Sequence, residues 1–174
     1  MVPPVVVSPF SKSVDALPSV KDGVALTCKA ASTPEEVDIH MEIRNRIFVQ
    51  EQGFFAGSDR DVHDDDPRTV HALGLLGAVA GGAVRLYPLD EPGVWKGDRL
   101  AVLPRYRRML GAKLVRFAVK TAGERGGGVM IAHVQPQNVD FFRYLGWTPE
   151  GDLMDFQGHL HQKMSIPLQR PDGQ

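Results

Sequence analysis

The chain has one cysteine, Cys28, so it cannot close an intrachain disulfide, and neither a disulfide scaffold nor a cysteine-rich zinc site can be built from it. A reducing cytoplasm is the expected home. No run approaches the roughly 18 apolar residues that a membrane span requires. Charge of either sign is not in excess: 20 Lys and Arg stand against 21 Asp and Glu, a formal net charge of −1. With no global field to hold nucleic acid or an anionic membrane, neither is expected as a partner. Any phosphate binding must come from a local basic cluster, and one lies at Arg105 to Lys113. Met1 to Val20 carry Pro3, Pro4, Pro9 and Pro18 and only the short apolar run Val5 to Val7. Without a basic n-region or a long apolar stretch they read as an extended arm and not a signal peptide. No internal repeat is found.

What is present is ordinary globular composition, 43% hydrophobic and 24% charged over 174 residues, enough for one core. The expected layout is an arm over 1–20, one domain over 21–168 and a tail over 169–174. Val24 to Ala30 reads as a strand with Val24, Leu26 and Cys28 on one face. Thr33, Pro34 and Glu36 form a helix start with a capping box, and the stripe Val37, Met41, Arg44 and Phe48 carries that helix to about Val49. Residues 53–68 are acidic and loop-like. Residues 71–76 and 78–86 form a hairpin around Gly77, and Trp95 to Leu103 is a further strand. After Pro104 the period becomes helical through Leu110, Leu114, Phe117, Ala118 and Thr121, with a stop at Gly126 to Gly128. Val129 to Val134 is a strand. Pro136 opens a short helix that Gly146 ends, and terminal strands run to Leu168.

The segment RLAVLPRYRRMLGAKLVRFAV, residues 99–119, joins a strand to a basic helix start. Free backbone N–H groups and a partial positive charge there suit a diphosphate, and arginines add charge-assisted hydrogen bonds. On its own the same segment reads more readily as a solvated basic helix start. It resembles the acetyl-CoA-binding segment of the GNAT N-acetyltransferase superfamily, Q/R-x-x-G-x-G/A after the fourth strand. Registered on Arg107, the pattern puts Leu110 at a glycine position and Ala112 at the small one. Registered on Arg108, Gly111 fits and Lys113 takes the small position. Two further segments resemble the ElaA-like branch: Ile43-Arg44, Phe48-Val49, Glu51-Gln52, Asp61, Asp65 and His71, then Gln135, Phe141-Phe142, Leu145-Gly146-Trp147, Gly158, His161 and Met164.

The resemblance implies an α+β, single-domain GNAT fold, a twisted and mostly antiparallel mixed sheet flanked by helices, with acetyl-CoA in the cleft between the strands at 99–103 and 129–134. It implies that the backbone of Ala101, Val102 and Leu103 holds the pantetheine and that Arg107, Arg108, Leu110, Gly111, Ala112 and Lys113 hold the diphosphate. Gln135, Phe141 and Phe142 complete the cofactor set. Phe142 stands where many members carry a proton-donating tyrosine, and Tyr144 lies about 200° further round the helix. For the general base, His71, His133 and Glu51 are the candidates, because amine attack needs a group titrating near neutrality. Each has a structural alternative, a hydrogen bond for the histidines and an ion pair with Arg44 or Arg46 for Glu51.

No metal is expected. An EF-hand loop from Asp59 would need glycine at its sixth place and glutamate at its twelfth, where Asp64 and Val70 stand. His159 and His161 lack a third ligand. The acidic run reads as a solvated loop or as a rim that attracts a cationic amine. The expected activity is acetyl transfer from acetyl-CoA to the primary amine of a small acceptor by direct attack, with a homodimer possible. Two alternatives stay open: a non-catalytic acyl-CoA-binding or regulatory module, and an acyl-homoserine-lactone-synthase-like enzyme, which Arg85-Leu86-Tyr87-Pro88 resembles.

Overall fold

The computed structural model describes residues 24–156 and 158–171, and only the backbone of Phe156; the expected arm over 1–20 lies outside the described residues. The strands are β1 (Leu26–Ala30), β2 (Val70–Leu76), β3 (Val79–Pro88), β4 (Val94–Val102), β5 (Val129–Val134), β6 (Thr148–Pro149), β7 (Met154–Phe156) and β8 (His159–Pro167). The α-helices are α1 (Pro34–Arg44), α2 (Arg107–Glu124) and α3 (Val139–Tyr144). Sheet order is β1-β2-β3-β4-β5-β8-β6, with β7 paired to β8. The pair β4 and β5 is parallel, whereas β1 with β2, β5 with β8, and β6 and β7 with β8 are antiparallel. This is the mixed, mostly antiparallel sheet with helices that the sequence implied. Backbone proximity divides the described residues into two compact units, one taking those up to Arg85 with Arg99–Phe117, the other Leu86–Asp98 with those from Ala118 onward.

In the first unit β1 lies against β2 from Leu26↔Leu76 to Ala30↔Ala72. The core gathers Ile43, Ile47, Phe48, Leu73, Leu75, Ala80, Ala83 and Ala101. Two glycines of β3 let neighbours sit directly on its backbone: a Cβ at Gly81 would lie 2.5 Å from the Tyr106 ring, and one at Gly82 would lie 2.7 Å from Leu114. Leu110 and Leu114 are fully buried, each contributing about 1.5–3 kcal/mol of burial.

Helix α1 starts where expected, with Thr33 Oγ1 accepting from Glu36 N at 3.1 Å. The reciprocal half of the box is displaced by one residue. Glu36 accepts from Ser32 N (3.1 Å) and Ser32 Oγ (2.9 Å) and pairs with Lys29 Nζ at 2.5 Å. The helix does not run α-helically to Val49. It ends at Arg44 and widens into a π-helical stretch, Asn45–Glu51, where Asn45 and Gln50 bond each other and Asn45 Nδ2 donates to Gly57 O.

In the second unit the β4–β5 register covers Val94↔Val129, Trp95↔Met130 and Lys96↔Ile131. Strand β8 then backs β5 from Val129↔Pro167 to Val134↔Gln162. Alternation buries Trp95, Met130, Ala132, Val134 and Met164 and leaves Lys96, Ile131, His133 and Lys163 on the other face. Helix α3 is closed by Gly146 at φ 96°, and Phe142 meets Trp147 edge-on at 5.4 Å.

Candidate functional site

Residues singled out by sequence fall in both units. In the first, β4 runs through Ala101 and Val102 into Leu103, whose N–H donates to Gly81 O at 2.9 Å. A 3₁₀ turn, Pro104–Tyr106, leads straight into α2 at Arg107. The first turn of α2 holds no acid, and Arg107, Arg108 and Lys113 are exposed. Leu110, at the place where a glycine is usual, points away from them: it is fully buried, and its Cδ2 lies 3.3 Å from where a Cβ on Gly74 would be. Gly111 is buried and Ala112 half-buried. A side chain at that position therefore leaves the solvent side of the turn to the basic side chains of Arg107, Arg108 and Lys113, a donor set that fits a diphosphate. Glu51 ends the π-helical stretch and forms an ion pair with Arg107, not with Arg44 or Arg46.

The same unit encloses a network of charge. Asp64, with no exposed side-chain surface, accepts from Arg44 Nη1 (2.7 Å) and Nη2 (3.1 Å), His71 Nε2 (3.0 Å) and Asp61 N (3.0 Å), and pairs with Arg85 Nη1 at 3.1 Å. Burial works to raise its pKa, but these hydrogen bonds outweigh it and hold the carboxyl far below the usual range. Asp61 is likewise lowered, since the Arg85 fork at 2.6 and 3.0 Å overcomes the effect of burial. Asp59 receives Arg44 Nε at 2.8 Å. Three guanidiniums, from Arg44, Arg85 and Arg99, thus face three carboxylates, from Asp59, Asp61 and Asp64. The acidic run is turned inward and neutralised over half its length, which corrects the picture of a solvated loop or an open acidic rim.

His40 completes the network. Its Nδ1–H donates to Ala72 O at 2.9 Å, Arg44 Nη1 approaches its Nε2 at 3.4 Å, and the His71 ring stands edge-on at 4.8 Å. His71 is therefore bound by Asp64 on one side and packed on His40 on the other. Arg99 has φ 51°, the left-handed region, and is the only non-glycine residue there among the described residues. Its strain, about 1–2 kcal/mol, is offset by ion pairs to Asp59 (3.2 Å) and Asp61 (3.4 Å), a bond to Asp59 O (3.0 Å) and stacking 4.7 Å over Phe55.

In the second unit His133 projects from β5, exposed, and its ring makes no hydrogen bond among the described residues. Partial burial lowers its pKa, reinforced by Lys96, His161 and Lys163 and opposed by Asp98, so the imidazole is neutral near pH 7 and can accept a proton. Tyr87 Oη donates to Asp98 at 3.2 Å. Gln135 accepts from Gln137 Nε2 at 2.6 Å, and Phe141 meets Phe142 edge-on at 5.7 Å. Tyr144 is 81% exposed. Among the described residues no group of three His, Cys, Asp or Glu side chains could hold a metal ion, and no helix is long and apolar enough to cross a membrane.

Sequence reasoning missed Lys96, Asp98 and Lys163 as neighbours of His133, and Arg85 and Arg99 as partners of the acids. Alternation along β4 puts Lys96 and Asp98 on one face, but nothing local says which strand lies beside it.

The model of the acetyltransferase (GNAT) family matches residues 35–147. A Bacillus subtilis (strain 168) protein that bears the name "putative acetyltransferase" is 28% identical over 137 residues, 75% of this chain and 90% of that one. Three solved structures share the fold. A Lactobacillus plantarum protein titled "putative N-acetyltransferase" has a TM-score of 0.74 at 23% identity, over 83% of this chain and 99% of that one. Escherichia coli ElaA has a TM-score of 0.70 at 18% identity, over 82% and 98%. The CoA-dependent acyl-homoserine lactone synthase BjaI has a TM-score of 0.69 at 20% identity, over 85% of each chain.

Proposed function

Because the chain belongs to the acetyltransferase (GNAT) family and is an acyltransferase, we propose that it transfers an acetyl group from acetyl-CoA to the primary amine of a small acceptor by direct attack. Acetyl-CoA supplies an acyl group activated as a thioester. Arg107, Arg108 and Lys113 hold its diphosphate, and the backbone of Ala101 to Leu103 holds the pantetheine. Backbone N–H groups of β4 steady charge that develops on the thioester oxygen. The observation that carries the cofactor reading is the burial of Leu110 beneath Gly74, which leaves the basic turn open.

Of the three candidate bases His133 is preferred. It is neutral near pH 7 and its ring makes no hydrogen bond among the described residues, whereas His71 is bound to Asp64 and Glu51 to Arg107. His133 takes the proton that the amine sheds as its nitrogen bonds to the acyl carbon. Phe142 has no proton to give and Tyr144 points to solvent, so water protonates the departing thiolate. The finer placement, a cytoplasmic enzyme able to pair as a homodimer, belongs to the same proposal, and fractionation and light scattering test it.

Calorimetry with acetyl-CoA, followed by CoA-release assays over a panel of amines, tests the reading. Micromolar binding lost on Arg107→Ala with Arg108→Ala, and turnover reduced roughly 10²–10⁴-fold by His133→Gln, are expected. Binding without turnover on any amine would instead favour a non-catalytic module. The fold shared with BjaI keeps one second reading, a longer acyl donor, and comparing acetyl-CoA with long-chain acyl-CoA in the same assay separates the two.

A further inference from the structure

The face of the second unit that carries His133 is laid out by register. Lys96 on β4 lies opposite Ile131 on β5, which lies opposite Ser165 on β8. One step along the same face, His133 lies opposite Lys163, and Glu150 N bonds Lys163 O at the far side. Directly opposite side chains stand roughly 4.5–5.5 Å apart and diagonal ones within reach of a long side chain. The His133 ring therefore has Lys163 across the antiparallel strand, and Lys96 and Asp98 on the same face of parallel β4 beside it.

The charges on this face are not equally engaged. Asp98 accepts from the Tyr87 hydroxyl. Glu150 accepts from Ser165 Oγ at 2.6 Å and holds Lys163 Nζ at 3.5 Å. Lys96, half-buried, makes no salt bridge among the described residues. Asp98 and Glu150 offset part of this positive charge, and because Glu150 already holds Lys163, Lys96 is the ammonium beside the imidazole that is left to meet an acceptor's charge. That ammonium welcomes an anion, and it favours loss of the proton from an amine held near it.

We propose that the acceptor is a small primary amine carrying an anionic group, carboxylate or phosphate, on the same molecule, and that Lys96 binds that group. This rests on the acyl-transfer reading with His133 as base, and it reverses the expectation that acidic residues recruit a cationic amine. Lys163, already shared with Glu150, is the weaker partner.

The test is CoA release from acetyl-CoA with matched acceptors: glycine against methylamine, phenylalanine against phenethylamine, lysine against cadaverine, and phosphoethanolamine against ethanolamine. The expected result is about ten-fold or greater preference in kcat/KM for the anionic member of at least one pair. The carboxylate and phosphate arms tell which anion is read. Lys96→Ala should bring that ratio towards one through KM, Lys96→Glu should invert it, and Lys96→Arg should restore it, with melting curves showing that each variant is folded. Neutral or cationic amines used as well as their anionic partners, or a ratio indifferent to Lys96→Ala, overturn the proposal while leaving acyl transfer intact. Acetyl-CoA bound but no CoA released with any amine overturns acyl transfer itself and the proposal with it.

Discussion

Acidification from pH 7 to pH 5 should remove stability through one imidazole. His40 has no exposed surface. Burial is the main force that drives its pKa from 6.5 to about 3, helped by Arg44 and His71 and opposed by the bond to Ala72 O and by Asp64. The folded pKa is depressed, so the unfolded chain binds a proton near pH 6.5 that the folded chain refuses until about pH 3. Stability from this group is complete above pH 6.5 and falls as pH descends through that window. At pH 5 the loss is about 1.5 pH units at 1.4 kcal/mol each, or about 2 kcal/mol. For a chain of this size that is a Tm drop of about 4–8 °C. Melts followed by circular dichroism at pH 7, 6 and 5 measure it. His40→Gln, whose amide can still donate to Ala72 O but cannot titrate, should show a Tm that falls less over the same range by that amount. Every other histidine is common to both proteins, so the difference isolates His40. Parallel Tm curves, or an NMR titration placing the His40 ring near pH 6.5, would refute the reasoning.

Other outcomes are equally specific. Asp64→Asn strips a buried carboxylate from two guanidiniums and His71 and should cost about 3–5 kcal/mol, about 6–20 °C in Tm. Because that carboxyl is held below the usual range, its contribution is present above about pH 4 and lost below it, so the two melting curves should converge in acid. Asp66→Asn, at an exposed pair with Arg68, should leave Tm unchanged. Glu51→Gln frees Arg107 and should tighten acetyl-CoA binding by up to roughly five-fold in calorimetry; weaker binding would make Glu51 part of the site. Gly123→Ala sets a Cβ 2.2 Å from the backbone oxygen of Gln169, and the overpacking should lower stability by about 1–3 kcal/mol by urea titration despite alanine's better helix propensity.

The parts of the fold that were legible in sequence are those fixed by neighbours in the chain. The β2–β3 hairpin turns at Gly77, whose φ of 61° only glycine adopts freely, and α1 begins at Thr33 because a side-chain oxygen three residues away satisfies Glu36 N. The end of α1 was not legible, because the wide turn after Arg44 depends on Asn45 reaching Gly57, twelve residues on. The charge network was hidden for the same reason. Arg44 reads as one member of an apolar stripe, and its role appears only when Asp59 and Asp64 fold onto it from 15 and 20 residues away. Arg85 and Arg99 find Asp61 and Asp59 across 24 and 40 residues, separations at which spacing carries no information. At the basic turn the pattern identified the residues, but only packing shows that Leu110 turns into the core.

The network also bears on why a chain would bury so much charge. Replacing ion pairs of this kind by well-packed apolar residues is often neutral or stabilising, so stability alone does not account for them. What apolar residues lack is direction. Residues 59–66 offer Val62 as their only aliphatic side chain, and it is 79% exposed, so this loop has little apolar surface with which to fix its own position. Carboxylates with defined lone-pair directions fix it instead, and the same carboxylates reach Arg99, the one described side-chain-bearing residue with positive φ. Arg99 immediately precedes Leu100 and the Ala101 to Leu103 backbone proposed above to hold the pantetheine. A strained residue persists where its surroundings over-determine it, and here three polar contacts and an aromatic face do so. The buried charges are thus better understood as the device that sets the path of β4 from Arg99 onward than as a reserve of stability.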